Sequence, residues 1–309
     1  YNILFLITKM ANIAQRIPRW STKRIKLNSS LHRTKGLLRD LRLNTVCESA
    51  RCPNISDCFS KPTATFMILG NVCSRQCSFC SVEKGAPMPP DKSEPERIAE
   101  AVKRLGLRHV VITSVTRDDL PDNGAGHFAE VIKELFKIQD SKFKIQIEVL
   151  TPDFSGSIDA LKKVVFAGPH IFNHNLETVP RLYSTVRPQA DYKRSLMVLK
   201  NVKEMVPAIF TKSGIMVGFG EIEEEVIDVM KDLREAGCDF ITIGQYLQPR
   251  KENLPVYEYV KLEVFERYKV IAEGLGFLRA ASGPFVRSSF NAEEMAKKII
   301  PIIKADYTD

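Results

Sequence analysis

Six of the seven cysteines in this 309-residue chain fall between positions 47 and 80, and their spacing is the first feature that could do chemistry. Cys73, Cys77 and Cys80 form a CxxxCxxC pattern. Three thiolates can bind three irons of a [4Fe-4S] cubane and leave the fourth iron open, whereas a closed structural zinc site needs four protein ligands. An open iron is what a reactive cofactor requires. S-adenosylmethionine (SAM) can chelate it through its amino and carboxylate groups, and one electron from the cluster can then break the sulfonium C–S bond to give a 5′-deoxyadenosyl radical. Phe79, beside the last cysteine, would help shield such a site from water. Spacing alone leaves one alternative open, a zinc site completed by a distant His or Cys.

Cys47, Cys52 and Cys58 form a second, wider set, CxxxxCxxxxxC, again with three thiolates and no adjacent fourth. The remaining cysteine, Cys238, stands among apolar residues and reads as a small core residue. The second set must therefore find its fourth ligand among other residue types, and taken alone it also suits a zinc-binding knob. An odd number of clustered cysteines without a secretory signal points to metal ligation in a reducing compartment rather than to disulfides.

The elements that would position these groups follow from hydrophobic periodicity. Short apolar, β-branched runs at 64–69, 109–113, 144–150, 170–173, 211–217 and 240–244 alternate with segments of helical period, such as Ile98, Ala101, Val102 and Leu105. Ser93 followed by Glu96 reads as a capping box opening the first of these helices. Six βα units imply a parallel sheet covered by helices, an α/β fold. They are too few for a complete eight-stranded barrel, which leaves a partial barrel or a doubly wound sheet. In a barrel, function sits in the loops after the strands. The polar, Gly-rich or Cys-rich segments 71–81, 114–126, 151–156, 174–178, 218–221 and 245–250 lie there.

Hydrophobic residues at 44% and charged residues at 27% are ordinary globular usage, so the chain can bury a core. The net charge of +8 is uneven: residues 1–42 carry ten Lys or Arg against Asp40 alone, and the rest of the chain is close to neutral. Such an arm suits an acidic partner, a solvated extension or an organellar transit peptide. Among its charges only Trp20 offers an aromatic ring, which argues against stacking on single-stranded nucleic acid. The apolar run 3–7 is far too short to cross a membrane. The layout expected is a basic extension over 1–42, a cysteine segment over 43–63, a barrel over 64–281, and a C-terminal segment over 282–309 with a helix interrupted by Pro301.

Taken together, the segments CESARCPNISDC (Cys47 to Cys58), CSRQCSFC (Cys73 to Cys80), TSVTRDDLPDNGA (Thr113 to Ala125), EVLTPDF (Glu148 to Phe154), HNLETV (His174 to Val179), KSGIMVGFGE (Lys212 to Glu221), GQYLQP (Gly244 to Pro249) and ASGPFVRSSF (Ala281 to Phe290) resemble the lipoyl synthase family of radical SAM enzymes. The resemblance runs in order from about residue 37 to 290 and leaves 1–36 and 292–309 uncovered. It implies a partial (β/α)6 barrel with N-terminal and C-terminal extensions. It implies two [4Fe-4S] clusters: the radical-generating one on Cys73, Cys77 and Cys80, and an auxiliary one on Cys47, Cys52, Cys58 and a serine. Ser289 is the favoured serine and Ser288 the alternative. Phe290 departs from the tyrosine usual in the family, which removes any role for a phenol there but leaves the serine.

The implied reaction inserts two sulfur atoms at C6 and C8 of a protein-bound octanoyl-lysine, with two SAM molecules consumed per product and the auxiliary cluster as sulfur donor. Those C–H bonds are too weakly acidic for any protein base, so radical chemistry carried by a cofactor is required, with no catalytic side chain beyond the cluster ligands. SAM would lie across the loop face, where Gly218 and Gly220 let backbone approach it and Asn175 and Glu177 offer hydrogen bonds. His174 reads as a satisfied core histidine. The implied partners are an octanoylated lipoyl-carrier domain or a glycine-cleavage H protein, and an electron donor such as flavodoxin or ferredoxin. No nucleic acid and no membrane span are expected. A monomer in the bacterial cytoplasm is expected, with an organelle as the alternative. The nearest rivals are another radical SAM sulfur inserter, which would lack the Cys47, Cys52, Cys58 and RSS set, and a non-catalytic zinc protein docking nucleic acid through its arm.

Overall fold

A computed structural model describes residues 18–22, 29–61 and 64–297. Among the described residues three α-helices, α1 (Ser29–Asp40), α2 (Val46–Ser49) and α3 (Ile55–Ser60), precede the first strand. Seven strands then form one sheet in chain order: β1 (Thr65–Ile68), β2 (His109–Ser114), β3 (Gln146–Leu150), β4 (Ile171–Asn173), β5 (Phe210–Val217), β6 (Phe240–Gln245) and β7 (Arg279–Gly283). Every neighbouring pair is parallel, and β1 and β7 are the two ends of the sheet. The helices α4 (Glu94–Leu105), α5 (Ala125–Lys137), α6 (Ile158–Val165), α7 (Tyr192–Met205), α8 (Glu223–Glu235) and α9 (Leu262–Gly274) make the crossovers, and α10 (Ala292–Lys297) follows β7. The six βα units are those that the apolar periodicity predicts.

The additional strand, β7, escaped the periodicity because its sequence, Arg-Ala-Ala-Ser-Gly, carries no β-branched apolar run and all five residues are only half-buried. Its register against β6 makes it a strand, from Phe240 opposite Arg279 to Gly244 opposite Gly283. The central strands are buried on both faces, as parallel strands under helices must be. Ile98, Val102, Phe128, Ile132, Leu161 and Val202 on the helices close the outer core against them.

The expected capping box at Ser93 does not form. Its hydroxyl donates to Asp91 at 2.7 Å, and its own backbone is already helical, so no side-chain cap is made to α4. Part of the basic N-terminal segment is built into the fold: α1 buries Leu31, Thr34 and Leu38, and Thr34 Oγ1 donates to the Phe59 carbonyl at 3.1 Å. Among the described residues no helix is long and apolar enough to cross a membrane.

Candidate active site

The sheet curves enough for side chains of four successive strands to meet. Glu148 on β3 lies 2.9 Å from Lys212 Nζ on β5 and 3.2 Å from His109 Nε2 on β2, and Asn173 on β4 donates to it at 3.1 Å. All four residues are buried. Burial alone would raise the Glu148 pKa; Lys212 and His109 outweigh it and hold the carboxyl down at about 2. The concave side of the sheet is therefore a polar interior held by paired charge.

The CxxxCxxC loop leaves β1 and is fastened to four later loops. Ser74 donates to the Thr116 carbonyl through both its amide and its hydroxyl, at 3.1 and 3.0 Å. Arg75, between the first two cysteines, is 6% exposed and pairs with Asp118 at 2.7 and 2.9 Å and with the buried Asp153 at 2.7 Å. Ser78 bonds Thr185 and Val186, and Asn253 donates to the carbonyls of Ser78 and Cys80 at 3.1 and 3.0 Å. Phe79 meets Phe219 edge-on at 6.5 Å, and Phe219 stacks on Tyr246 at 4.3 Å, an aromatic wall beside the cysteines.

All seven cysteines are free thiols. Cys73, Cys77 and Cys80 act on one another electrostatically, as do Cys47, Cys52 and Cys58, so each set is grouped in space. Among the described residues no group of three His, Cys, Asp or Glu side chains converges to hold a single metal ion, which thiolates that each bind a different iron of a cubane need not do. Burial pushes the Cys80 and Cys47 thiols up to about 12 and raises Cys77 as well, so these sulfurs ionise only beside positive charge of the kind iron supplies. Backbone amides already point at three of them: Thr116 N lies 3.3 Å from Cys73 Sγ, and Val82 and Thr65 bond Cys80 and Cys47. Amide-to-sulfur hydrogen bonds are what tune thiolate-bound iron-sulfur clusters, and the donor sets fit that group. Cys238 is fully buried in the apolar core, with no part in either set.

The second cysteine set meets the C-terminal segment. Asn54, fully buried between Cys52 and Cys58, donates to the Phe285 carbonyl at 2.7 Å across 231 residues of sequence. Ser81 Oγ donates to the Ser49 carbonyl at 2.8 Å, which ties the two cysteine segments together. Cys58 and Ser289 line one cavity of about 590 Å³ with Thr65, His109 and Val111. Ser288 faces elsewhere: its hydroxyl donates to Asn175 Oδ1 at 2.9 Å.

Asn175 in turn donates to Glu177 Oε1 at 3.0 Å, so the two expected SAM contacts form a pair beside β5. Burial raises the Glu177 pKa against the opposing pull of Arg187. Gly218 and Gly220, expected to admit a cofactor, are packed against the chain itself. A Cβ on Gly218 would lie 2.2 Å from Gln245 Nε2, one on Gly220 would lie 3.3 Å from the Tyr257 ring, and the Gly218 and Phe219 amides are capped by Glu221. His174 is buried, with Nδ1 2.8 Å from the Thr151 carbonyl, but Nε2 has no hydrogen-bond partner among the described residues, so there it is only half satisfied. Burial, with the Arg187 charge added, lowers its pKa to about 4.

Residues 67–233 match the model of the radical SAM superfamily, and residues 6–52 match the N-terminal domain of lipoyl synthase of that family. The chain is 59% identical over 278 residues to the lipoyl synthase of Caldanaerobacter subterraneus subsp. tengcongensis, covering 90% of this chain and 96% of that one. The chain belongs to the lipoyl synthase family. The lipoyl synthase of Caldicellulosiruptor saccharolyticus is 57% identical over 91% of this chain and 98% of its own length. Among solved structures, methylornithine synthase superposes with a TM-score of 0.51 at 13% identity, over 90% of this chain and 89% of that one. SuiB of Streptococcus suis bound to its precursor peptide superposes with a TM-score of 0.54 at 12% identity, over 82% of this chain and 52% of that one. These distant likenesses show a shared fold, the partial barrel.

For a lipoyl synthase family member, two residues of the site were not legible as such in the sequence. Arg75 fastens the first cysteine loop and Asn54 fastens the second cysteine segment to the serine loop. Both lie inside the cysteine motifs. A charged residue between two expected ligands was the one signal the sequence offered for Arg75.

Proposed function

We propose that this radical SAM enzyme converts a protein-bound octanoyl-lysine to its lipoyl form, with Cys73, Cys77 and Cys80 holding one [4Fe-4S] cluster and Cys47, Cys52, Cys58 and Ser289 holding the other. When bound there with SAM, the clusters supply the electron for reductive SAM cleavage and the sulfide for insertion at C6 and C8. The observation that carries this reading is the meeting of the second cysteine set with the RSS loop: Cys58 and Ser289 line one cavity, and Asn54 grips Phe285. It also supports Ser289 as the ligand over Ser288, whose hydroxyl is engaged by Asn175.

The protein's own share of the work is positional. Arg75, pinned by Asp118 and Asp153, keeps the first cysteine loop rigid. Phe79, Phe219 and Tyr246 exclude water on one side. Asn175 and Glu177 offer SAM one amide and one carboxylate on a common edge. His174 is held neutral by burial, so it adds no cation to the barrel interior near neutral pH. Seven free thiols suit a reducing compartment, for which the bacterial cytoplasm is our reading. An octanoylated carrier domain or glycine-cleavage H protein as substrate, a flavodoxin or ferredoxin as reductant and a monomeric enzyme complete the proposal.

Anaerobic reconstitution followed by SAM, reductant and an octanoyl-lysyl peptide tests it. We expect lipoyl product and about eight irons per chain, the content of two four-iron clusters. Ser289→Ala should lose auxiliary-cluster iron and sulfur insertion while still cleaving SAM. About one zinc per chain without SAM cleavage, or unchanged sulfur insertion by Ser289→Ala, would overturn it.

A further inference from the structure

The RSS loop presents its two serines to different surroundings. Phe290 N donates to the Arg287 carbonyl at 3.0 Å, which makes Ser288 and Ser289 the two central residues of one tight turn. Ser289 lines the cavity with Cys58, whereas Ser288 Oγ donates to Asn175 Oδ1 at 2.9 Å. Because the turn is closed by its own hydrogen bond, one serine cannot shift without carrying the other. Asn175 Nδ2 continues the chain to Glu177 Oε1 at 3.0 Å. Glu177 is fixed in turn by β5: its amide donates to the Gly214 carbonyl at 3.0 Å, and Met216 N donates to its carbonyl at 2.9 Å.

Gly214 makes room for this chain. A Cβ there would lie 2.6 Å from Ser288 Oγ, 2.7 Å from Thr242 Oγ1 and 2.9 Å from Asn175 Oδ1. Its φ is not in the left-handed region, so the backbone does not require glycine at this place in β5. The close approach of Ser288 and Asn175 does.

We propose that Ser288 is a positioning residue through which SAM, bound against Asn175 and Glu177, governs how firmly Ser289 holds its iron. The proposal rests on the site assignments above and extends them. A ligand that locks Asn175 against Glu177 also locks the acceptor of the Ser288 hydroxyl, and the turn passes that constraint to Ser289. Coupling of this kind is reciprocal: if SAM strengthens the hold on iron, the loaded auxiliary cluster strengthens the hold on SAM by the same factor.

Two measurements on the fully loaded protein test this: SAM affinity by equilibrium dialysis, and the rate at which the auxiliary cluster gives up iron to a ferrous chelator with and without SAM. In the wild type SAM should slow iron loss. Ser288→Ala should keep the wild-type iron count, lose the effect of SAM on iron loss, and bind SAM about fivefold more weakly, the factor one hydrogen bond of ordinary net strength is worth. Gly214→Ala should do the same with every ligand residue intact, and Ser288→Thr, which keeps the hydroxyl, should restore both readouts. Wild-type iron loss that ignores SAM, or variants that respond to SAM as the wild type does, would overturn the proposal. Should Ser288→Ala lack auxiliary iron while Ser289→Ala retains it, Ser288 is the ligand and the site assignment itself fails, an outcome separate from a failed coupling.

Discussion

Lys212 carries its ammonium into the barrel interior, where it is 1% exposed and donates to the carboxylate of Glu148 at 2.9 Å. Removing one member of a buried pair leaves an uncompensated charge, so Lys212→Met should cost about 3–5 kcal/mol in denaturant unfolding. Lys212→Met combined with Glu148→Gln should recover much of that loss. His174 sets a pH dependence. Its folded pKa, lowered to about 4, lies below the ordinary 6.5, so the unfolded chain takes up a proton first as pH falls. The stability it contributes is complete above the ordinary value and is lost progressively as pH falls toward 4, by about 3 kcal/mol at full extent. Thermal unfolding followed from pH 7 to 4 should show this slope, and His174→Gln should flatten it.

At the scale of elements, the C-terminal loop reaches the sheet through glycine. A Cβ on Gly244 of β6 would lie 2.2 Å from the Val286 carbonyl oxygen and 3.0 Å from Arg287 Nη1. The nearer atom is backbone, so the loop itself would have to move. On the proposed assignment, Gly244→Ala should therefore bind about four irons instead of about eight, keeping a cluster on Cys73, Cys77 and Cys80 while losing the auxiliary one. Iron and sulfide analysis with circular dichroism as a fold control checks this. The six helix-flanked strands could be read from apolar runs, but β7 could not, because Arg279–Gly283 is a strand by virtue of its pairing with β6 alone. The capping box at Ser93 was a local pattern overridden by the helical backbone of Ser93 itself and by the Arg97 guanidinium, which donates to the hydroxyl oxygen that a cap would use.

At the scale of the whole molecule, the basic segment is partly inside the fold and partly beyond the described residues. Arg33, Arg39 and Arg42 are exposed around α1, while Leu31, Thr34 and Leu38 hold that helix in place. A surface of this kind would favour an acidic carrier domain. Association should weaken roughly tenfold between about 0.05 and 0.5 M salt. Reversing Arg33, Arg39 and Arg42 together to Glu should reproduce that loss at low salt, as measured by calorimetry with an octanoylated carrier. Equal affinity across the salt series would show that the basic segment does not dock it.

The chemistry on offer was legible from the order of residues, since thiolate number and spacing are local properties: Cys73, Cys77 and Cys80 lie within eight residues of chain. So was the alternation of strand and helix, because burial of a parallel strand demands a continuous apolar run. Which serine faces which surroundings became visible only in the folded chain. Ser288 and Ser289 are identical in kind and adjacent in sequence, and what separates them is a turn that sends one to Asn175 and the other to the cavity of Cys58. The tertiary structure likewise showed that Gly218 and Gly220 stand at positive φ beside Gln245 and Tyr257, whereas Gly214 makes room for Ser288. Glycine in a sequence records a need for space or for a left-handed backbone, and only the folded chain shows which.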